Sequence, residues 1–229
     1  MITDPPILQI KRNFPRPSPD IVAALAGAAT GHLVDAMGGK GALHWHIKPL
    51  ADAMSGFCGV ALTCDAGPAD NLAVFGALDV AQPGDVIITA TGGHLAAAVL
   101  GDLLVGMARN SRVAALVTEG TVRDVQGILA VGLPVYCAGI SANSPVRNGP
   151  GTVGLPIVIG GVAVASGDIL VGDKDGVVVV PRLQATDVVA KLAEVRAAEA
   201  LLEAKVKAGL RIPEFVTALL KSGRIEELP

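Results

Sequence analysis

Short apolar runs closed by Gly, Pro, Asn or Asp alternate along this chain with segments of helical period. The runs 85–90, 113–118, 134–138 and 177–180 have the length and composition of buried strands. Residues 55–64 alternate weakly and predict another strand, and 156–159, 162–165 and 169–171 add three short ones. Helical segments lie between them. Ser18-Pro19-Asp20 opens a helix through 21–28, and a second short helix over 32–37 stops at Gly38-Gly39. Further helices are expected over 70–78 with Asp70 as cap, over the small-residue stretch 95–100, over 102–109 and over 125–130. From Thr186 to Ala208 the period is helical, with Val188, Val189, Leu192, Val195, Leu201 and Leu202 on the apolar positions, and another helix follows Pro213. Strand alternating with helix predicts an α/β fold: a single-domain layered sandwich with C-terminal helices over residues 18–229. Residues 1–17 form an extended arm, because four prolines between positions 5 and 17 forbid regular helix.

Composition sharpens this picture. Hydrophobic residues make up 51% of the 229 positions and charged ones only 17%, while aromatics are 3%, so the core is built from Ala, Val, Leu and Ile. A chain this apolar, with a mean hydropathy of +0.55, is expected to hide further area between subunits. The formal charge of −3 and the lack of any Lys/Arg cluster with interleaved aromatics argue against nucleic acid as a partner. The N-terminal stretch has an early acid, many prolines and no apolar core, so it does not read as a secretory signal. No window supplies the ~20 uninterrupted apolar residues of a membrane span, and a cytoplasmic location is expected. Cys58, Cys64 and Cys137 lie inside strand-like runs and read as reduced core thiols.

Candidate chemistry concentrates between Gly101 and Asp124. A helix beginning at Gly101-Asp102 is followed by a buried strand that ends in Glu119-Gly120-Thr121-Val122-Arg123-Asp124. In a helix-then-strand unit the helix start and the strand end lie at one edge of the sheet, where ligands collect. Asp102, Arg123 and Asp124 should therefore meet, with the N–H groups of Leu103 and Leu104 free to hold an anion. Two carboxylates suit a hard cation such as Mg²⁺ that keeps several waters, and a guanidinium suits a carboxylate or enolate oxygen. Taken alone, Asp102 is a helix cap; the three charges at this spacing point to a site.

Other clusters carry less. His44-Trp45-His46 has no adjacent third ligand and reads as a loop in which the only Trp packs under the fold. Thr91-Gly92-Gly93-His94 lacks the third glycine of a dinucleotide loop and the Gly-Lys of a P-loop, but its N–H groups and His94 are placed to wall the same pocket. Asp173 and Asp175 lack the further acids of a calcium loop. The Ser, Asn, Pro and Gly-rich segment 141–154 reads as a loop over the site or at a subunit contact.

Asp102, twenty intervening residues and Arg123-Asp124 resemble the D-x20-R-D signature of the class II pyruvate aldolases that cleave 4-hydroxy-4-methyl-2-oxoglutarate and 4-carboxy-4-hydroxy-2-oxoadipate. These belong to the RraA-like superfamily, which also contains the regulator of ribonuclease activity A, an inhibitor of ribonuclease E. Leu33–Met37, Ile47–Leu50, Asp70-Asn71, Pro83–Val86, Glu119–Asp124, Pro134-Val135, Gly167–Ile169 and Asp173–Pro181 resemble the pattern in order. Glu119 stands where Asp is usual, and Ser166 where Pro is common.

The resemblance implies a swivelling β/β/α sandwich assembled as a trimer or hexamer with sites between subunits. It implies Mg²⁺ or Mn²⁺ on Asp124, Arg123 on the enolate oxygen, and the start of the helix at Gly101, Leu103 and Leu104 on the substrate carboxylate. Arg196-Ala-Ala-Glu199 resembles the family's Arg-x-x-Glu, and on that resemblance alone, since spacing does not distinguish it from Glu194 or Glu203, Glu199 is the residue supplied to the neighbouring subunit's site, where with Asp102 it would orient catalytic waters. The implied reaction is retro-aldol cleavage to pyruvate and a second oxo acid without a Schiff-base lysine, in aromatic compound catabolism, with oxaloacetate decarboxylation as a side activity. The alternative within the superfamily is a non-enzymatic regulator that binds ribonuclease E. Members have often been labelled dimethylmenaquinone methyltransferases, a chemistry for which this chain has no nucleotide loop.

Overall fold

The computed structural model describes residues 6–54 and 56–228; Ser55 and the first five residues of the arm lie outside it. Four of the apolar runs form the parallel centre of a nine-stranded sheet: Phe57–Asp65, Asp85–Ala90, Ala115–Thr118 and Val135–Cys137, in that order across it. The register runs Val60 opposite Asp85, Val86 opposite Ala115 and Leu116 opposite Val135. Strands Ile169–Gly172 and Gly151–Val153 pair antiparallel with Phe57–Asp65, and Val177–Val180 extends the sheet through Ile169–Gly172.

Side-chain alternation explains the layers. On one face Leu62, Cys64, Ile87, Leu116 and Val135 pack under helices Leu72–Val80, Asp102–Asn110 and Val125–Val131. On the other, Ala61, Val86, Ile88, Ala115 and Val117 meet Ile157, Ile159, Val164, Leu170, Val177 and Val179 from the later hairpins. The intervening Val178 and Val180 turn outward to Leu25, Leu33, Val188 and Leu192, so the helices Pro19–Leu25, Thr30–Ala36 and Ala185–Lys207 cover that side. A run of four valines is buried because both of its faces are covered. No helix among the described residues is long and apolar enough to cross a membrane.

One expectation is corrected. Residues 95–100 are not helical: Ala98–Leu100 is a strand, paired in parallel with Thr121–Val122, and the pairing overrides the helix propensity of Ala96–Ala98. Within the arm, Leu8–Ile10 is a strand that pairs with Gly151–Val153 and so joins it to the fold. Farther along, Arg16 grips the buried Asp85 through two bonds of 2.6 and 2.8 Å.

Candidate active site

Beyond the C-terminal ends of the main strands the chain builds a second, three-stranded parallel sheet: Ala98–Leu100, Thr121–Val122 and Gly139–Ile140. Ala98 lies opposite Thr121, and Thr121 opposite Gly139. Residues that leave neighbouring parallel strands in register emerge side by side. Gly101-Asp102 and Arg123-Asp124 do so, and the Arg123 N–H continues the pairing to the Leu100 carbonyl at 3.0 Å. The third strand releases the 141–150 loop over the same place. The resulting cleft of ≈ 200 Å³ is lined by Gly101, Asp102, Leu103, Leu104, Arg123 and Asp124 from the expected site, together with Asn71, Phe75, Pro145 and Arg147.

The charged side chains are fixed in different ways. Arg123 Nε lies 3.2 Å from Asp124 Oδ2, and its terminal nitrogen bonds Ser144 Oγ. Asp124 sits at the N-cap of the helix Val125–Val131 with φ 58°, a left-handed conformation that Asp tolerates and most residues do not. Gly101 leaves room for this pair, because a Cβ there would stand 2.9 Å from Asp124 Oδ2 and 3.5 Å from Arg123 Nε. Gly127 does the same for Asp102, whose Oδ2 would be 2.5 Å from an added Cβ.

The helix starts where expected, with Gly101 as the N-cap and Asp102 as the first helical residue, and one detail differs. Asp102 Oδ1 already accepts from the Leu103 N–H at 2.7 Å, so of the two amides expected to be free only that of Leu104 stands at a position with no intrahelical acceptor and no side-chain acceptor. Glu199 does not line its own chain's cleft. It lies midway along Ala185–Lys207 with its side chain 58% exposed and touches His32 Nε2.

Among the described residues no three His, Cys, Asp or Glu side chains converge as metal ligands. A closed cage is thus absent there, and the arrangement present is an open one: Asp124 at the cleft, with Asp102 nearby. Such a donor set fits a hard ion that retains waters and takes the rest of its shell from substrate.

The other clusters take structural roles. Glu119 clamps the Thr91–His94 loop, accepting from Thr91 N at 3.2 Å, Gly93 N at 3.1 Å and Gly160 N at 3.1 Å, so those amides are occupied and the loop does not wall the cleft. Neither does His94. Trp45 is 75% exposed, contrary to the expectation that it packs under the fold; it stands with His44 and His46 on an outer loop. Burial and the neighbouring His44 lower the pKa of His46. Burial raises all three thiols, Cys58 and Cys137 to about 11, as expected for inert core cysteines.

Asn71, Phe75 and Arg147 were not singled out by sequence. Asn71 belongs to the Asp70-Asn71 pair of the family pattern, which gave a signal without a role; Arg147 sits in an irregular loop that no periodicity could place.

Residues 30–179 match the model of the RraA-like family, Aldolase/RraA. A protein of Halalkalibacterium halodurans, named provisionally as a 4-hydroxy-4-methyl-2-oxoglutarate aldolase, is 36% identical over 172 residues, covering 75% of this chain and 81% of that one. A protein of Ectopseudomonas mendocina with the same provisional name is 32% identical over 113 residues, 49% of this chain and 70% of that one. The crystal structure of RraAS2 from Streptomyces coelicolor, described as an unusual member of the RNase ES inhibitor RraA family, superposes with a TM-score of 0.73 at 25% identity, over 83% of this chain and 99% of that one.

Proposed function

Because the chain belongs to the RraA-like family, we propose that its cleft cleaves a 4-hydroxy-2-oxo acid by a retro-aldol reaction to pyruvate and a second oxo acid. The observation that carries this reading is the meeting of Asp102, Arg123 and Asp124 in one cleft, with glycines at 101 and 127 making room for the two carboxylates. The names of the two aldolase relatives support the substrate class.

Breaking the C3–C4 bond leaves its electron pair on C3, delocalised onto the C2 oxygen as the pyruvate enolate, while the C4 oxygen loses its proton and becomes a carbonyl. Stabilising the growing charge on the C2 oxygen is the main task. Arg123, anchored by Asp124 and Ser144, donates to that oxygen. The Leu104 N–H receives the C1 carboxylate, joined by Leu103 when the Asp102 side chain releases its amide. Asp102 accepts the C4 hydroxyl proton by way of a water, which Glu199 of a neighbouring copy helps to orient. A proton delivered to C3 then completes pyruvate. Asp124 would hold Mg²⁺ or Mn²⁺, which when bound polarises the 2-oxo group as a Lewis acid.

Loss of CO₂ from oxaloacetate passes through the same enolate and is a side activity of this reading. Assembly as a trimer or hexamer would bring Glu199 to a neighbour's cleft. Leu201, Leu202 and Val206, exposed on the same helix, give such an assembly apolar surface to bury.

The likeness to RraAS2 favours a second reading, a regulator that binds an RNase E-type enzyme. Release of pyruvate from 4-hydroxy-4-methyl-2-oxoglutarate and from 4-carboxy-4-hydroxy-2-oxoadipate, measured with Mg²⁺, with Mn²⁺ and with chelator, separates the two. Metal-dependent turnover supports the lyase. No turnover of either compound by the folded protein, together with inhibition of ribonuclease E, supports the regulator.

A further inference from the structure

A second guanidinium lines the same cleft, and the enolate chemistry does not use it. Arg147 stands there beside Asn71, Phe75 and Pro145. Its guanidinium carbon lies 5.6 Å from the centre of the Phe75 ring. Among the described residues it has no carboxylate partner, whereas Arg123 has Asp124.

The backbone that carries Arg147 is held on both sides. The Val146 N–H donates to the Ala69 carbonyl at 2.8 Å, and the Asn71 N–H to the Val146 carbonyl at 3.1 Å. Buried Asp70 accepts from Asn148 N at 2.6 Å and Gly149 N at 2.9 Å through Oδ2, and from Leu72 N at 2.7 Å through Oδ1. Burying a carboxylate is unfavourable unless its oxygens are bonded, and here two of those bonds go to amides just after Arg147. The loop therefore presents this arginine from a fixed platform, with the ring of Phe75 as its support.

Asn71 is an independent pointer to a ligand. It is 5% exposed and lines the cleft, and its Nδ2 donates to the Val99 carbonyl at 3.2 Å. That bond identifies Oδ1 as the remaining atom, and Oδ1 has no partner among the described residues. A buried acceptor without a donor is unfavourable until something supplies one. The wall beside Arg147 is thus polar and incomplete: Oδ1 calls for a donor, such as a water bridging to the ligand, and Arg147 is the group that suits a carboxylate.

Both oxo acids named above carry a further carboxylate on the half that leaves, and we infer that Arg147 is the group that grips it, which makes this arginine the specificity residue for that half of the substrate. This rests on the oxo-acid reading above and deepens it.

Two unreactive probes of equal chain length test it: 2-oxoglutarate, with a second carboxylate, and 2-oxopentanoate, with a methyl group in its place. Both are titrated calorimetrically into the full-length protein with Mg²⁺ present. The wild type is expected to prefer 2-oxoglutarate by about 10- to 100-fold, the range of hydrogen bonds to charged groups. Arg147→Met, which keeps an apolar contact with Phe75 and loses the charge, should bring the two affinities within about 3-fold, and Arg147→Lys should restore part of the preference. Equal binding of both probes by the wild type would overturn the inference and leave the oxo-acid site standing. Binding of neither would overturn both. A preference that survives in Arg147→Met would show that another group holds the second carboxylate.

Discussion

Gly101→Ala isolates the geometry of the site from the stability of the fold. The backbone at Gly101 has φ −138° and ψ 174°, an extended conformation open to any residue, so alanine brings no backbone strain. The new methyl carbon would stand 2.9 Å from Asp124 Oδ2. Ordinary contact begins near 3.4 Å, so the carboxylate must withdraw by about 0.5 Å. It cannot carry Arg123 toward the methyl to compensate, because Arg123 Cγ and Nε already lie 3.5 Å from that position. The folding cost is small: alanine for glycine at an N-cap costs about 1 kcal/mol or less, and the half-exposed Arg123–Asp124 pair contributes at most about 1 kcal/mol. A change of that size lowers the melting temperature by roughly 2–4 °C in a chain of this length. The catalytic cost is larger, since a misplacement of ~1 Å costs about 100-fold and half of that about 10-fold. Pyruvate release and thermal melting measured on the same preparation should show kcat down by about 10-fold with more metal needed for half-activation, and a nearly unchanged melt. Wild-type turnover and metal dependence in Gly101→Ala would refute the placement of Asp124 at the reacting centre.

Gly127→Ala should act on the other carboxylate. Helix propensity alone favours alanine by about 1 kcal/mol, but its Cβ would stand 2.5 Å from Asp102 Oδ2 and 2.6 Å from Asp102 Cβ, so turnover should fall at least about 10-fold and the melt should drop rather than rise. Arg16→Ala leaves the buried Asp85 carboxylate, among the described residues, with only the Gln82 N–H at 2.9 Å as a partner, and urea denaturation should show a loss of about 2–3 kcal/mol; a loss below about 0.5 kcal/mol would mean that the arm is not an anchored part of the fold. With Cys58 and Cys137 raised to about 11 by burial, roughly one in a thousand of each is thiolate at pH 8. Alkylation at that pH should modify none of the three cysteines in minutes in the native protein and all three in urea, and rapid labelling of the native protein would contradict their burial.

Much of the fold was legible because its elements are long enough for their period to show. The strands over 85–90 and 177–180 and the helix from Asp102 to Asn110 lie where apolar runs and turn residues predict. The errors have physical causes. Residues 98–100 look helical because small apolar residues carry no strong strand preference; their strand depends on a partner, Thr121–Val122, more than twenty positions away. Trp45 is exposed because size alone does not bury a residue that lies on an outer loop. At the site, Asp102, Arg123 and Asp124 could be brought together from topology, because the start of a helix and the end of the strand after it share one edge of the sheet. Arg147 could not, because its position depends on the buried Asp70 and on backbone bonds made by an irregular loop. The occupied amide of Leu103 and the clamp made by Glu119 are side-chain conformations that no spacing encodes.

Exchange of the methyl protons of pyruvate with solvent deuterium, followed by proton NMR, reads formation of the pyruvate enolate in the cleft whatever the natural substrate is. Exchange should require Mg²⁺ or Mn²⁺, stop with chelator, and be lost in Asp124→Asn and Arg123→Ala although both variants melt within a few degrees of the wild type. A folded wild-type protein that exchanges no protons with either metal, or an Asp124→Asn variant that exchanges them at the wild-type rate, would contradict enolate formation in this cleft.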